Sequence, residues 1–191
     1  MNDIIVVGNG PSVVDAKKGQ QIDAHKDVVR MNEYYIYDGD TTGVRTTIWA
    51  PAKDFHHWKL YKTGKNFAVD WTEVHTVLYM NRTGTDRCDL VKKQAADHNA
   101  RFVFVPEEHR QWLIGEYKKG YNKKAGPSAG LTVLSYYIDY LKTPLDCIGF
   151  DGLDSYRMHY FDNARCSYFH PPEIEKRFIN NWIEKGMLKK L

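Results

Sequence analysis

The 191-residue sequence has no long hydrophobic run and few cysteines. No stretch approaches the roughly 18 consecutive apolar residues that a membrane-spanning helix needs. The opening Met1-Asn2-Asp3 also lacks the basic and apolar regions of a signal peptide. The three cysteines, Cys88, Cys147 and Cys166, form no close-spaced pair, which suits a reducing compartment better than a disulfide-bonded secreted fold. We therefore expect a cytoplasmic protein that neither spans a membrane nor is exported.

A strong excess of positive charge is also lacking. There are 27 Lys and Arg residues against 24 Asp and Glu residues, a net charge of +3, so the composition does not indicate nucleic-acid binding. Lysine pairs at 118–119 and 123–124, and Lys185, Lys189 and Lys190 in the expected last helix, are most simply solvated. Peripheral contact with the inner face of a membrane stays open.

Short β-branched runs alternate with helix-length polar or amphipathic stretches along the chain. The runs are Ile4–Val7, Val28-Val29, Thr46-Thr47-Ile48-Trp49, Thr76–Tyr79, Phe102-Val103-Phe104-Val105 and Cys147-Ile148. This alternation predicts an α/β fold, a single Rossmann-like domain over residues 1–191 with a mostly parallel sheet flanked by helices.

Two helices are indicated late in the chain. Ser128 is a typical N-cap, and apolar residues follow it at spacings of three and four: Leu131, Leu134, Tyr137, Ile138 and Leu141. Pro171-Pro172 opens the second helix, which places Ile174, Phe178, Trp182 and Ile183 on one face. We expect that face to pack on the sheet.

The first predicted strand runs into a glycine-containing turn, Gly8-Asn9-Gly10-Pro11-Ser12. Such a turn places backbone N–H groups at the carboxyl edge of a parallel sheet, where phosphate is a common ligand. The dinucleotide fingerprint needs a third glycine where Val13 stands, and Pro11 interrupts the usual helix start. A nicotinamide or flavin site is therefore disfavoured.

Metal and serine-nucleophile chemistry also lack support. His56-His57, Asp54 and Cys88 match no zinc-ligand spacing. Ser12 and Ser128 occur where a turn or a cap explains them, and no Gly-x-Ser-x-Gly elbow is present. We expect neither a metal centre nor a bound cofactor.

Two blocks of the chain resemble motifs of the animal sialyltransferases. Residues 6–10 and 22–32, followed by the glycine, arginine and two threonines of 43–47, resemble the large motif. Residues 127–131, through the predicted helix to 148–150, resemble the small motif, with Ala129 where the family has threonine.

Two further motifs follow in the family's order. His159-Tyr160-Phe161-Asp162 matches the third motif, and His170 with Glu175 matches the very small motif, His-x-x-x-x-Glu. The opening Gly-Asn-Gly-Pro-Ser is similar to that of bacterial lipooligosaccharide sialyltransferases. The ordered set spans residues 4–175, and its order makes the resemblance specific.

The resemblance implies a CMP-sugar donor and inverting, metal-independent transfer to a hydroxyl of a glycan or glycolipid acceptor. It makes His170 the general base and implies that His159, with Tyr160, binds the leaving phosphate. Histidine suits both tasks because it exchanges a proton near neutral pH. The other donor-binding positions that it implies are Gly8, Asn9, Gly10, Asn32, Ser128, Ala129 and Gly130.

The chain departs from the family in several respects. Ala129 removes a side-chain hydroxyl, and we expect neither the membrane anchor nor the disulfide of the animal enzymes here. Only ten residues, 160–169, separate the third motif from His170, so we expect a donor site open to water. A CMP-Kdo-type transferase and a non-catalytic nucleotide-sugar-binding protein stay open, as does a homo-oligomer.

Overall fold

A parallel sheet lies at the centre of the structure. A computed structural model describes residues 1–52, 69–80, 86–119, 125–151 and 170–191. Within these ranges seven parallel strands pair in the order β5-β4-β3-β2-β1-β6-β7. The strands are β1 (Ile4–Val7), β2 (Asp27–Met31), β3 (Ile48–Ala50), β4 (Thr76–Tyr79), β5 (Arg101–Phe104), β6 (Leu145–Ile148) and β7 (Leu188–Lys190). The predicted α/β, Rossmann-like fold is confirmed, and the domain bounds 1–191 stay a prediction.

Helices cover both faces of the sheet. On one face lie α1 (Ser12–Asp15), α2 (Gly19–Asp23) and α3 (Asp86–Asp97). On the other lie α4 (Glu107–Lys118), α5 (Ala129–Ser135), which continues as a π-helical segment (Tyr136–Tyr140), and α6 (Pro172–Glu184). Successive side chains of β1 alternate between the two faces, which explains why its apolar run is continuous. None of the helices in the described ranges is long and apolar enough to cross a membrane.

The two predicted helices are present. The Ser128 Oγ accepts a hydrogen bond from the Leu131 N–H at 3.1 Å, so the predicted N-cap is confirmed. The apolar stripe that follows is buried from Leu131 to Ile138, whereas Leu141 is 44% exposed. In α6 the buried residues are Ile174, Glu175, Ile179 and Trp182.

Three details at the end of the chain differ from expectation. Ile183 is 39% exposed, because it lies one residue, about 100° of helix rotation, beyond the buried Trp182. Lys189 and Lys190 do not belong to the last helix: α6 ends at Glu184, and both lysines lie in the edge strand β7. The sequence gives little sign of β7, because only Leu188 of its three residues is buried.

The strand order places a topological switch point at β1. This strand pairs with β2 on one side and with β6 on the other, in parallel. The chain leaves the carboxyl ends of these neighbouring strands in different directions, which opens a crevice where α/β proteins bind ligands. The candidate residues after β1, β2 and β6 therefore meet at one edge of the sheet.

Candidate functional site

The turns that follow β1 and β6 are bonded to each other. The Gly8 N–H donates to the Ile148 carbonyl at 2.7 Å, and the Gly10 N–H donates to the Gly149 carbonyl at 3.0 Å. A Cβ atom at Gly8 would lie 2.3 Å from the Gly149 oxygen, so a larger residue cannot fit without moving the backbone. The glycines of the predicted turn therefore allow two loops to pack closely at the sheet edge.

A carboxylate of the protein occupies the start of α1. The Ser12 N–H donates to the Asp151 Oδ2 at 3.1 Å, and a Cβ atom at Gly10 would lie 2.3 Å from the same oxygen. Pro11 has no N–H to offer. The N–H groups of Gly8, Gly10 and Ser12 thus have acceptors within the protein. Phosphate binding by the amides of this turn stays a prediction. Direct donor binding by Gly8 and Gly10 through other atoms stays a prediction.

Asn9 and Asn32 follow adjacent strands, and their side chains are fixed by the backbone. The Asn9 Nδ2 donates to the Glu33 carbonyl at 2.8 Å, and the Asn32 Oδ1 accepts from the Ala52 N–H at 2.9 Å. Asn32 has a φ of +49°, a left-handed conformation that asparagine tolerates better than most residues. These bonds leave the Asn9 Oδ1 as an acceptor and the Asn32 Nδ2 as a donor for another group.

The small-motif segment packs beside the β1 turn through one aromatic ring. A Cβ atom at Gly130 would lie 2.7 Å from the Phe150 ring, and one at Gly8 would lie 3.2 Å from it. Ala129, also half-buried, packs against the main core. Gly8, Phe150 and Gly130 thus form one continuous wall at the carboxyl edge.

Glu175 ties the very small motif to the small motif. Its Oε1 accepts from the Ser128 N–H at 3.0 Å and from the Tyr117 hydroxyl at 3.2 Å, and its Oε2 accepts from the Ser128 Oγ at 2.9 Å. Burial raises the pKa of Glu175, against the opposing effects of these hydrogen bonds and of the nearby His170. Tyr117 lies outside every motif in the sequence, and no periodicity distinguishes it from a core residue.

His170 is bonded to the same segment. Its Nδ1 lies 2.8 Å from the Gly126 carbonyl oxygen. A carbonyl can only accept, so the Nδ1 carries the hydrogen, and in the neutral ring the Nε2 is the unprotonated nitrogen. His170 and Glu175 therefore both hold residues 126–128, which lead directly into α5 and its wall residue Gly130.

A cavity of about 420 Å³ opens beside Phe150 at the same edge. It is bounded by the chain after β6, by α6 and by the end of β7, and Lys176 and Lys190 contribute positive charge. No group of three or more His, Cys, Asp or Glu side chains placed to hold a metal ion occurs in the part of the chain that the structure describes.

Most of the sequence-predicted site residues converge. The structure brings one group to the carboxyl edge or to the segment bonded to it: Gly8, Asn9, Gly10, Asn32, Ser128, Ala129, Gly130 and His170. His159 and Tyr160, predicted to hold the leaving phosphate, lie outside the described residues.

Solved structures of known proteins share this fold. A mammalian sialyltransferase structure matches with a TM-score of 0.70 and 16% identity, over 98% of this chain and 68% of the other. The Campylobacter jejuni sialyltransferase CstII, in complex with the substrate analogue CMP-3FNeuAc, matches with a TM-score of 0.62 and 14% identity, over 100% of this chain and 82% of the other. At these identities the likeness shows the fold.

The family follows from the sequence itself. Among curated proteins there is no significant sequence match. The model of glycosyltransferase family 29 (sialyltransferase), however, matches residues 2–187. Since that match covers nearly the whole chain and the fold agrees with it, this chain belongs to glycosyltransferase family 29, the sialyltransferases.

Proposed function

We propose that the protein transfers sialic acid from CMP-sialic acid to a hydroxyl of a glycan or glycolipid acceptor, with inversion at the anomeric carbon. The observation that carries the proposal is the hydrogen bond between His170 and Gly126. It leaves the Nε2 of His170 as the basic nitrogen, next to residues 126–130, which are proposed to bind the CMP-sugar. Family membership and the CMP-3FNeuAc complex of a protein with this fold support the choice of donor.

In this mechanism the His170 Nε2 takes the proton of the acceptor hydroxyl as that oxygen attacks the anomeric carbon. The bond from the anomeric carbon to the phosphate oxygen breaks on the opposite side, through an oxocarbenium-like transition state. The proton ends on the imidazole while the Nδ1–H stays bonded to Gly126. A base positioned in this way contributes roughly 10² to 10⁴ in rate.

The donor is held by groups from several strand ends. The Asn32 Nδ2 donates to the phosphate, and the Asn9 Oδ1 accepts from a donor hydroxyl. The Ser128 hydroxyl is already engaged with Glu175 and Leu131, so 128–130 contribute mainly backbone groups to the ribose and cytosine. On this account the missing hydroxyl at Ala129 has a small effect. His159 and Tyr160 complete the phosphate site, as the family motif implies.

The reaction needs no metal ion and no bound cofactor in this proposal, because hydrogen-bond donors stabilise the charge that develops on the leaving phosphate. A cytoplasmic location, peripheral contact with a membrane and a homo-oligomer belong to the same proposal and await direct measurement. A CMP-Kdo donor is the second candidate, since it shares the nucleotide and an anomeric carboxylate.

One assay tests these statements together. The full chain is incubated with CMP-sialic acid or CMP-Kdo, with and without lactose or a glycolipid acceptor, and CMP release is measured. We expect acceptor-stimulated release from CMP-sialic acid that persists in EDTA, and a product whose anomeric configuration, read by NMR, is opposite to that of the donor. Activity that EDTA abolishes and magnesium restores would contradict the metal-independent mechanism. Binding of both donors without any transfer would indicate a non-catalytic binding protein.

A further inference from the structure

Tyr117 is buried near the end of α4, and its hydroxyl is bonded to Glu175 beneath the candidate site. Its side chain is 0% exposed, and its hydroxyl lies 3.2 Å from the Glu175 Oε1. The other donors to this carboxylate, the N–H and hydroxyl of Ser128, belong to the segment that Glu175 holds. Among the described residues, Tyr117 is thus the donor to Glu175 that lies outside the segment 126–128.

A buried carboxylate depends on its donors to stay ionised. Burial raises the pKa of Glu175, and the Tyr117 hydroxyl is one of the groups that lower it. Loss of that hydroxyl must raise the pKa further, because a donor to the charged form is removed. A protonated Glu175 is a weaker acceptor than the carboxylate, so its hydrogen bonds to the segment 126–128 would be weakened.

The segment 126–128 is bonded at one end to Glu175 and at the other to His170. At one end the Ser128 N–H and hydroxyl are held by Glu175, and at the other the Gly126 carbonyl fixes the His170 ring. Only Pro127 lies between them. A change in the bonds of Glu175 is therefore transmitted to the orientation of His170 over a very short distance.

We propose that Tyr117 is a positioning residue for this site: acting through Glu175, its hydroxyl holds residues 126–128 and thereby aims His170. The role of His170 in turnover rests on the function proposed above. The aromatic ring of Tyr117 lies parallel to Phe178, with centroids 6.4 Å apart and planes 13° apart, so Tyr117→Phe deletes the hydroxyl and keeps the packing.

The first test compares Tyr117→Phe with Tyr137→Phe. Tyr137 is a buried tyrosine of the same core, and its ring contacts Tyr136. We expect Tyr117→Phe to lower kcat about tenfold and to weaken CMP binding several-fold, while Tyr137→Phe changes neither, at similar losses in Tm. The order of magnitude follows from a hydrogen bond to a charged group.

The second test is the pH dependence of CMP affinity. Among the described residues, the titratable groups that face Glu175 are Tyr117 from α4 and His170 from the chain before α6. Ser128, at the start of α5, does not titrate in this range. Affinity should fall on the acid side as Glu175 takes a proton, and the midpoint should move to higher pH in Tyr117→Phe. The same shift in a His170→Gln background assigns it to Glu175. 3-Fluorotyrosine at position 117 is a stronger hydrogen-bond donor of nearly the same size, so it should move the midpoint to lower pH. Because it keeps the hydroxyl and the packing, it also provides the test if Tyr117→Phe does not fold.

A third measurement needs no ligand. In ¹⁵N imidazole spectra of the free protein, His170 should have the hydrogen on Nδ1 in the wild type and in Tyr137→Phe, and a mixture of tautomers in Tyr117→Phe. If wild-type protein fails to bind CMP, the proposed function fails, and these spectra still decide the role of Tyr117. An unchanged His170 spectrum in Tyr117→Phe, or an unchanged midpoint with either substitution at position 117, would reduce Tyr117 to a packing residue.

Discussion

At the residue scale, the hydrogen bond between His170 and Gly126 separates binding from catalysis. The His170 Nδ1 holds a backbone carbonyl, and the Nε2 is the atom assigned to the acceptor proton. A glutamine at this position can still donate to the carbonyl but cannot act as a base near neutral pH. The arrangement of residues 126–128 should therefore survive the substitution, and the proposed proton transfer should not.

We expect His170→Gln to lower kcat by roughly 10²- to 10⁴-fold with little change in the Kd for CMP. Turnover and calorimetric titration of the same preparation measure the two quantities. His98, an exposed ring stacked on Trp71 away from the site, provides the control, because His98→Gln should leave both unchanged. Full turnover in His170→Gln would remove the proposed base.

Asn32 combines a backbone role with the binding role proposed above, and two substitutions separate them. At φ of +49° alanine is strained by about 1–2 kcal/mol, whereas glycine is not. Both remove the donor assigned to the phosphate. We expect Asn32→Ala and Asn32→Gly to weaken CMP binding alike, at least tenfold, by the loss of about 1.5–3 kcal/mol for a hydrogen bond to a charged group. Asn32→Ala should also unfold at a lower urea concentration than Asn32→Gly, because only alanine is strained at this φ.

Asn99 supplies the matched control for this pair. It too has a left-handed φ, of +56°, but it lies between α3 and β5, away from the switch point. Asn99→Gly should leave CMP affinity unchanged in calorimetry. An Asn32→Gly variant that binds CMP as tightly as the wild type would contradict the donor role of Asn32.

At the element scale, a buried His–Asp pair fixes the amino end of β6. The His25 Nε2 lies 2.9 Å from the Asp146 Oδ2, and both side chains are almost fully buried. The His25 Nδ1 faces the Gln21 carbonyl at 2.9 Å, and the Asn2 Nδ2 donates to the Asp146 Oδ1 at 2.7 Å. The pair therefore links the chain before β1, the turn after α2 and the strand β6, opposite the candidate site.

A second His–Asp pair lies at the surface and allows a direct comparison. The His75 Nε2 lies 3.0 Å from the Asp27 Oδ1, and the His75 side chain is 57% exposed. We expect Asp146→Ala to lower the free energy of unfolding by about 3–5 kcal/mol, since it leaves a buried partner unpaired. His75→Ala should cost no more than about 1 kcal/mol. Urea denaturation gives both values, and equal losses would show that the buried pair has no special role.

The elements differ in how far the sequence predicted them. The six strands expected from the sequence all appear within two residues of their expected bounds, and in β4 continuous burial explains the continuous apolar run. For β3 the two threonines Thr46 and Thr47 precede the strand, and the Thr47 Oγ1 accepts from the Val28 N–H at 2.8 Å. The edge strand β7 was missed, because pairing with β6 stabilises it through backbone bonds that no side-chain pattern records.

At the scale of the whole molecule, the site is assembled from segments that are distant in the sequence. Asn9, Asn32, Ser128 and His170 could be predicted because each lies in a motif. The partners of Glu175 and the capping of α1 by Asp151 could not, since both depend on how α4, α5 and α6 pack around the switch point. A ligand that contacts several of these segments binds the assembled fold and not the unfolded chain.

CMP should therefore stabilise the entire protein against thermal unfolding. At a CMP concentration of 100 times Kd, the gain is about 2.7 kcal/mol, which for a chain of this size corresponds to an increase in Tm on the order of 5–10 °C. Unfolding scans with CMP, UMP, AMP and inorganic phosphate, all in EDTA, measure the effect. We expect a saturable increase with CMP that exceeds that with the other three, because in the proposed site residues 128–130 contact the base and ribose in addition to the phosphate contact of Asn32. At the same CMP concentration the increase should fall to about half or less in Asn32→Gly, since a tenfold weaker affinity lowers the gain to about 1.4 kcal/mol. Equal increases in Tm with all three nucleotides would overturn the cytidine site. An increase with inorganic phosphate as large as that with CMP would reduce the crevice to an anion site.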